Sequence, residues 1–368
     1  MPEALLPDGL VPVITRSSAL TGHRSVRRSY RLLDRDGGDL GPLDGVTGAS
    51  LTESAAATLK RGGSASITDT EQDIDWLNSR IHATYEVEAG PAWGLGVFIP
   101  SAPEEAWSGS TRRWEAELLD VLTVLDEWPL IDGYTLPAGA VVTDEMRAII
   151  ALTGETAVAI TDSTSTLTTA RSWDPHTSAL TIFNALADSI GYFSLASDGD
   201  GLLRAEPYVR PAARPIVWAF VEGVDCIFRD QFKVTRDIYH VPNVISAVTQ
   251  GTGDEAGLSV TVYNDNPDSI FSTVSRGRLI GRADGPIVTE ATDLDALETI
   301  AHRALIDATT PTLTVVIDAM PVPVSTNDAV TFRRAVTGLD GRFVVSRIEY
   351  GGAETDLATY TLTEVVDL

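Results

Sequence analysis

The stretch Trp114-Glu115-Ala116-Glu117-Leu118-Leu119-Asp120-Val121-Leu122 decides the fold class, because both a helix and a strand fit it. Trp114, Leu118, Val121 and Leu125 would share one face of a helix. The neighbouring segments, however, carry strand signals. We therefore predict a strand at this stretch and a mostly β N-terminal region.

One neighbouring segment begins after residue 25. Val26, Tyr30 and Leu32 alternate with polar residues in the two-residue rhythm of a half-buried strand, although Arg28 interrupts the apolar face. The turn cluster at 34–38 (DRDGG) can supply the positive φ angles that a hairpin needs. We predict a strand followed by a tight turn.

Another neighbouring segment, residues 93–99, places large apolar side chains on one face, with Gly94 and Gly96 between them. Glycine leaves the other face of such a strand without side chains, so another element can approach the backbone closely. We predict a strand whose glycine-bearing face receives a close neighbour.

The rhythm changes between residues 129 and 215. Thr143, followed by acidic residues, predicts a capped helix start over 143–150, since acids suit the positive end of the helix dipole. A clearer helix is predicted over 178–190, where a glycine follows the last apolar residue. Residues 198–201 (DGDG) then predict the turn of a hairpin.

Strand patterns return from residue 216 to the end, around one helix over about 293–308. Two β-rich regions therefore bracket a mixed one, which makes the predicted fold class α+β and mostly β. The predicted divisions are an N-terminal arm (1–22), a first β region (23–128), a mixed α/β domain (129–215) and a second β region (216–368) that contains the helix.

The composition excludes several classes of protein. The 368 residues include 27 basic and 52 acidic side chains, a net charge of −25, which disfavours a nucleic-acid reader and binding to anionic membranes. The single cysteine, Cys226, excludes an intrachain disulfide. The longest apolar run, 216–221, is too short to cross a bilayer, and the proline-broken N-terminus does not fit a secretory signal. We expect a chain made in soluble form, without membrane insertion.

Positive charge is concentrated in residues 16–35. Six arginines stand there against Asp34, which gives this segment +5 and leaves −30 for the rest of the chain. The segment is either a solvated basic edge or a surface that docks on acidic groups of a neighbouring subunit. The candidate docking residues are Arg24, Arg27, Arg28 and Arg31.

No catalytic, cofactor-binding or metal-binding set is predicted. The five histidines never stand at metal-ligand spacing, and the chain has neither a nucleophile elbow nor a Walker loop. Residues 251–256 match a dinucleotide fingerprint superficially, but their acids would face pyrophosphate and a strand follows, so we predict a hairpin turn. Residues 198–201 resemble part of a calcium loop that lacks two key oxygens.

Two other functions stay open on these residues. Glu115, Glu117 and Asp120 could supply the two carboxylates of a cell-wall glycoside hydrolase, with tryptophans nearby for sugar stacking. Exposed tryptophans could also serve a carbohydrate-binding adhesion module; the candidates are Trp107, Trp114 and Trp128. The competing interpretation of the carboxylates is a solvated outward face.

A further signal lies in the succession of several stretches. They are 114–120 (WEAELLD), 136–139 (LPAG), 143–150, 173–175 (WDP), 191–195 (GYFSL), 204–208 (RAEPY) and 237–243 (DIYHVPN). Over about residues 20–365, their order and spacing resemble the tail hub proteins, usually called minor tail proteins, of long-tailed actinobacteriophages. That group is similar to the baseplate hub of contractile phages and the hub portion of type VI secretion spikes.

This resemblance implies a homotrimeric ring at the tail tip of a virion, without a cofactor and synthesised in the host cytoplasm. Each subunit would contribute two β-barrel-like domains to a pseudo-sixfold collar that meets the distal tail protein ring. The tape measure protein and downstream tip or receptor-binding proteins would be further partners. Because a channel that passes DNA without holding it should present like charge, we predict that part of the −30 lines the channel.

Overall fold

The computed structural model of the chain describes residues 18–236, 239, 241–249, 257–282, 284–289, 294–309 and 313–365. Most of the predicted N-terminal arm and the whole turn at 251–256 lie outside these ranges. Within them the protein is mostly β, as predicted. Its buried apolar side chains fall into three clusters.

The N-terminal region is a β unit that follows one short helix. Its elements are α1 (Ser18–Thr21), β1 (Val26–Leu33), β2 (Asp39–Pro42), β3 (Val46–Ser54), β4 (Arg61–Thr68), β5 (Arg80–Val87), β6 (Ala92–Ser108) and β7 (Thr111–Asp120). The deciding stretch is the strand β7, which pairs with β4 on one side and β6 on the other. The predicted hairpin after residue 25 is also confirmed, since β1 and β2 are antiparallel.

A mixed unit follows. Its elements are α2 (Thr123–Asp126), β8 (Pro129–Leu130), β9 (Tyr134–Leu136), α3 (Val142–Thr153), β10 (Val158–Ile160), β11 (Arg171–Trp173), β12 (Thr177–Ser178), α4 (Ala179–Ser189), β13 (Ala196–Ser197) and β14 (Leu203–Ala205). Both predicted helices are present as α3 and α4, and β13 and β14 form the predicted hairpin around the turn at 198–201.

The two helix starts differ from each other. The Ser178 side chain caps α4 by accepting a hydrogen bond from the Thr181 N–H at 3.2 Å. The prediction that Thr143 caps the other helix is wrong, because α3 begins one residue earlier and Val141 occupies the cap position. The Thr143 hydroxyl instead donates to the Ser163 carbonyl at 3.2 Å and so fixes the helix start to a loop.

The C-terminal region contains β15 (Ile216–Val221), β16 (Phe228–Arg236), β17 (Val244–Thr249), β18 (Ser259–Tyr263), α5 (Thr273–Arg276), β19 (Ile287–Thr289), α6 (Leu294–Thr309), β20 (Leu313–Ala319), β21 (Ala329–Arg334), β22 (Leu339–Tyr350) and β23 (Ala358–Glu364). The predicted helix is therefore α6. It packs on a separate small sheet of order β18-β17-β19, which is inserted between β16 and β20 and has its own apolar cluster.

The two β regions share one hydrogen-bonded sheet. Strand β22 pairs with β3, from Arg347 opposite Ser54 to Tyr350 opposite Leu51. The main path of the sheet runs β16-β20-β23-β22-β3-β4-β7-β6-β5-β1-β2, and β21 and β15 branch from β22. No pairing between the described strands closes either region into a barrel, so the mostly β class is confirmed and the two-barrel arrangement stays a prediction.

The largest apolar cluster crosses the same boundary. It unites Tyr85 and Phe98 of the N-terminal region with Phe332 and Tyr360 of the C-terminal region, all fully buried. The second cluster fills the mixed unit between α3 and α4. Since apolar burial is the main favourable term in folding, the two β regions are stabilised together as one body.

The mixed unit meets the N-terminal sheet where two glycines approach each other. A Cβ atom on Gly94 of β6 would lie 2.2 Å from the Gly199 carbonyl oxygen, and one on Gly199 would lie 2.2 Å from that of Gly94. The predicted close neighbour of the glycine-bearing strand is thus the turn that joins β13 to β14. Its Asp198 side chain accepts from the backbone N–H groups of Asp200 and Leu202, both at 3.0 Å, and so fixes the shape of the turn.

We expect Gly94→Ala to lower the free energy of unfolding by about 1 to 3 kcal/mol, because the added methyl must displace backbone atoms. Gly352→Ala is the control, since a Cβ there meets nothing within 4 Å. Urea unfolding followed by tryptophan fluorescence measures both. Equal midpoints for the two variants would contradict the close approach.

Candidate functional site

The four candidate docking arginines do not share one surface. Arg28 is buried, with 3% of its surface exposed, and its Nη1 donates to the carbonyls of Ala49 (3.1 Å) and Gly351. Arg24 is partly buried and donates to the carbonyl of Pro321. Both side chains therefore bind the C-terminal region of their own chain.

The other two arginines are exposed on the opposite face of β1. Arg31 pairs with Asp39 of β2, both half exposed. Arg27 is exposed, and no hydrogen bond or ion pair to another described residue involves it. Successive side chains of a strand alternate between its faces, which explains why neighbouring arginines serve different purposes. Arg27 is thus unpaired among the described residues, whereas Arg31 already holds the Asp39 carboxylate with two hydrogen bonds.

The centre of the molecule holds a buried ion pair. The Arg61 Nη2 lies 2.9 Å from the Glu53 Oε2, and only 3% and 7% of these side chains are exposed. Glu53 Oε1 also accepts hydrogen bonds from the backbone N–H and the hydroxyl of Thr326, both at 2.8 Å. The pair thus connects β3 and β4 to the C-terminal region.

The same arginine reaches the mixed unit. Arg61 Nε donates to the Ser197 carbonyl at 3.2 Å, and Nη1 donates to the Leu95 carbonyl at 2.6 Å. Asp120 closes the network, since it accepts from the Arg61 N–H at 2.8 Å and from the Ser197 hydroxyl at 2.9 Å. We call Glu53, Arg61, Asp120, Ser197 and Thr326 the junction network.

Burial governs the ionisation of one junction carboxyl. Desolvation raises the pKa of Asp120, and the hydrogen bonds from Leu122, Arg61 and Ser197 oppose that shift. Both carboxylate oxygens of Asp120 accept hydrogen bonds from protein donors, which makes it a structural group. A carboxylate that must bind or protonate a sugar would need access to the solvent side of the sheet.

The glycosidase candidates are separated by the pleat of β7. Asp120 is fully buried, whereas Glu117 is exposed and Glu115 half exposed. Glu115 lies 3.6 Å from Arg113 and accepts a hydrogen bond from the Ser66 hydroxyl. Asp120 therefore cannot form an outward pair with either glutamate.

The tryptophan candidates also differ in exposure. Trp107 is exposed near the tip of the β6–β7 hairpin. Trp114 is partly buried, with its ring 5.4 Å from that of Trp76 and the Arg112 guanidinium 5.1 Å above it. Trp128 is 38% exposed. One ring, Trp107, is thus left with a large free surface.

The described residues contain neither a cluster of metal-binding side chains nor a helix that could span a membrane. None of their His, Cys, Asp and Glu side chains gather in a group of three or more that could hold a metal ion. In the same part of the chain, every helix is too short or too polar to span a membrane. The turn at 198–201 contains no such metal group and is instead held by its own hydrogen bonds.

The sequence patterns did not predict the junction network. Arg61 starts a strand of glycine, serine and alanine residues, a composition that gives no sign of a buried cation. The alternation of β3, in which Glu53 occupies a buried position, is the only signal that could have pointed to it. Its partner Thr326 is 273 residues away, so periodicity could not join the two.

We expect Arg61→Met to lower the free energy of unfolding by about 3 to 5 kcal/mol, because it leaves the buried Glu53 without a counter-charge. Adding Glu53→Gln should recover part of that loss, a coupling measurable by a double-mutant cycle in urea. Arg333→Met is the control, since the Arg333–Asp340 pair is more than half exposed. Additive effects of the two junction changes would contradict the network.

A second carboxyl near the junction provides a pH test. The pKa of Asp328 is raised to about 6, mainly by desolvation and in part by the nearby Glu53, while the hydrogen bond from the Ser325 N–H and the charge of Arg214 oppose the shift. The native state therefore holds this proton more tightly than the unfolded chain, in which an aspartate has a pKa of about 4. Ionised Asp328 destabilises the fold, and the destabilisation grows as pH rises from about 4 to 6.

We expect Asp328→Asn to raise the free energy of unfolding by about 1 to 2 kcal/mol at pH 7.5, with the gain shrinking as pH falls to 4. Asn can still accept the hydrogen bond from the Ser325 N–H. Urea midpoints between pH 4 and 8 measure the effect, with the exposed Asp340→Asn as control. A gain independent of pH would show that ionisation is not its source.

Comparison with known proteins gives a result at the level of structure. No protein-family model matches the chain, and no curated protein matches its sequence. A tail protein from Neisseria meningitidis superposes with a TM-score of 0.66 at 13% identity, over 92% of this chain and 97% of the other. A 43 kDa prophage tail protein from Shewanella oneidensis gives 0.65 at 14%, over 92% and 98%.

The likeness extends to type VI secretion. An E. coli component of that system, described as structurally similar to bacteriophage T4 tail proteins, gives a TM-score of 0.52 at 7% identity, over 88% of this chain and 74% of the other. The superpositions cover nearly the whole chain and include both β regions and the mixed unit. The chain therefore has the fold of phage tail proteins and of the related type VI spike components.

Proposed function

We propose that the chain is a structural virion protein that forms a homotrimeric hub at the tail tip of a long-tailed phage. The observation that carries this proposal is the superposition of 92% of the chain on nearly the full length of two phage tail proteins. The order and spacing of the stretches that resemble actinobacteriophage hubs support the host group.

The proposed hub joins the distal tail protein ring to the downstream tip or receptor-binding proteins and contacts the tape measure protein. The shared sheet supports this role, because β3 and β22 hold the two β regions in one fixed relation. Three subunits with two β regions each would supply six β regions, which suit a collar that meets a sixfold ring. Exposed Arg27 and Arg31 would dock on acidic groups of a neighbouring subunit.

The net charge of −25 supports a passive channel for the genome. Each contact between a cation and a phosphate adds affinity that slows the transit of DNA, whereas a bore lined by acids repels it. We propose that part of the acidic excess faces this bore. The DNA then passes without specific binding.

The two alternatives have less support. A glycoside hydrolase built on β7 would lose Asp120, which is buried in the junction network. An adhesion module would depend on Trp107, since Trp114 packs against Trp76 and Arg112. Peptidoglycan turnover that disappears in Glu117→Gln would favour the enzyme, and saturable glycan binding without turnover would favour the adhesion module.

We expect the purified chain, alone or with its neighbouring tail proteins, to form trimeric rings visible by mass photometry and electron microscopy. Arg27→Glu should weaken assembly by about tenfold if the arginine faces acids of the next subunit. Arg210→Glu is the control, since the side chain of Arg210 is also exposed and makes no hydrogen bond or ion pair with another described residue. A stable monomer that joins no ring, or a bore that is mainly basic, would contradict the proposed hub or channel respectively.

A further inference from the structure

Strand β16 is an exposed edge of the large sheet. It pairs with β20, and no other described strand lies beside it. Proteins blunt such edges with proline, short strands, covering loops, bulges or charged side chains. The opposite edge, β2, is short and contains Gly41 and Pro42. Strand β16 has nine residues and no proline, and its protection consists of a bulge between Phe228 and Phe232 and of charged side chains, which repel a like strand but not an acidic one.

The C-terminal half of β16 is exposed even on its core side. Val234 stands opposite Val315 in the pairing with β20, so the two side chains share a face. Val315 is fully buried, whereas 37% of Val234 is exposed. The core-facing side of β16 is thus left partly exposed to solvent at Val234. A strand added here by a neighbouring chain would bury this side chain.

This edge is basic although the chain is strongly acidic. Arg229, Lys233 and Arg236 are all exposed on β16. The one acid of the strand, Asp230, is engaged by Arg334 at 3.0 Å. An acidic strand would complement this charge, and a second copy of β16 would repel it.

A matching acidic edge exists on the N-terminal region. Strand β6 pairs with β5 only from Ala92 to Phe98, while its pairing with β7 continues to Ser108. Beyond Phe98 the β6–β7 hairpin therefore extends with the outer edge of β6 unpaired by any described strand. Glu104 and Glu105 lie on this extension, and both are exposed. Glu105 lies 3.9 Å from Arg112 of β7, whereas Glu104 has no ion pair with another described residue.

The acidic extension carries an unfavourable contact that a cation would relieve. Glu104 stands directly opposite Glu115 across the β6–β7 pair. Like charges in opposed positions destabilise a sheet. Arg113, 3.6 Å from Glu115, offsets part of this repulsion within the chain. A basic strand beside β6 would supply the missing counter-charge to Glu104.

We propose that β16 of one copy adds to the outer edge of β6, at about residues 104–108, in the next copy of the same chain. Lys233 then faces Glu104, and the other basic side chains of β16 lie further along the same hairpin edge. Like pairs of edges repel, so the contact joins two different surfaces and is head to tail. Head-to-tail contacts close into rings when the rotation permits. That this ring is a trimer rests on the proposed hub function.

Reciprocal charge reversal tests the contact on the full chain, by native mass spectrometry and sedimentation velocity. One variant carries Arg229→Glu and Lys233→Glu, the other Glu104→Lys and Glu105→Lys. We expect each to raise the apparent dissociation constant for self-assembly about tenfold or more. A chain with all four changes should assemble as the wild type does. Arg210→Glu with Arg347→Glu changes the net charge as the first variant does, at exposed residues outside both strands, and should assemble normally.

Mixing the two variants gives a sharper result. Each unlike neighbour pair regains opposite charges, so the mixture should form heterodimers. A closed trimer of two kinds of subunit always contains one pair of like neighbours, so it should not form.

Disulfide trapping gives a readout that does not depend on stable rings. In a Cys226→Ser background, Lys233→Cys with Glu104→Cys should give a cross-linked ladder that ends at the trimer, and Arg147→Cys with Glu104→Cys should not. The strand pairing would be overturned, and the hub left intact, if the wild type formed rings, the charge variants assembled equally well and no cross-linked ladder appeared. A chain that forms neither rings nor ladder would overturn both.

Discussion

The buried ion pair between Glu53 and Arg61 is the interaction on which the arrangement of the chain depends. Removing two charges from water costs several kcal/mol for each ion, and the cost is offset only when every remaining donor and acceptor finds a partner. Here those partners come from different regions: Thr326 from the C-terminal strands and Ser197 from the mixed unit. Separating any one region would leave a buried charged group without a hydrogen-bond partner, so the three regions hold together.

A fixed junction has a geometric consequence for assembly. A head-to-tail ring closes at one subunit number only when the angle between its two docking surfaces is constant. Those surfaces, on β16 and β6, lie in opposite regions of the chain. The pairing of β3 with β22 and the junction network set the angle between them. In the proposed ring, the rigidity of the core would therefore set the number of subunits.

Local patterns predicted the elements well and their associations poorly. The two-residue rhythm and the glycines of 93–99 identified strands and a face open to a close neighbour, because these signals lie within a few residues. That the neighbour is Gly199 was seen only in the structure. The cap of α3 was misplaced because a hydroxyl near a helix start can bind a loop carbonyl instead. The β3–β22 pairing and the junction network depend on partners hundreds of residues apart, which no periodicity records.

The distribution of charge has a different meaning in the folded chain. Of the four arginines between residues 24 and 31, Arg24 and Arg28 form hydrogen bonds within the chain. The exposed basic surface there therefore has half of the arginines that the sequence suggested. A second basic surface, on β16, was hidden among strand residues. In an acidic chain, two separate basic patches favour contacts with unlike surfaces, such as the one around Glu104, over contacts with themselves. In the proposed hub, the excess of acid that would repel DNA from the bore would also direct the association of the subunits that enclose it.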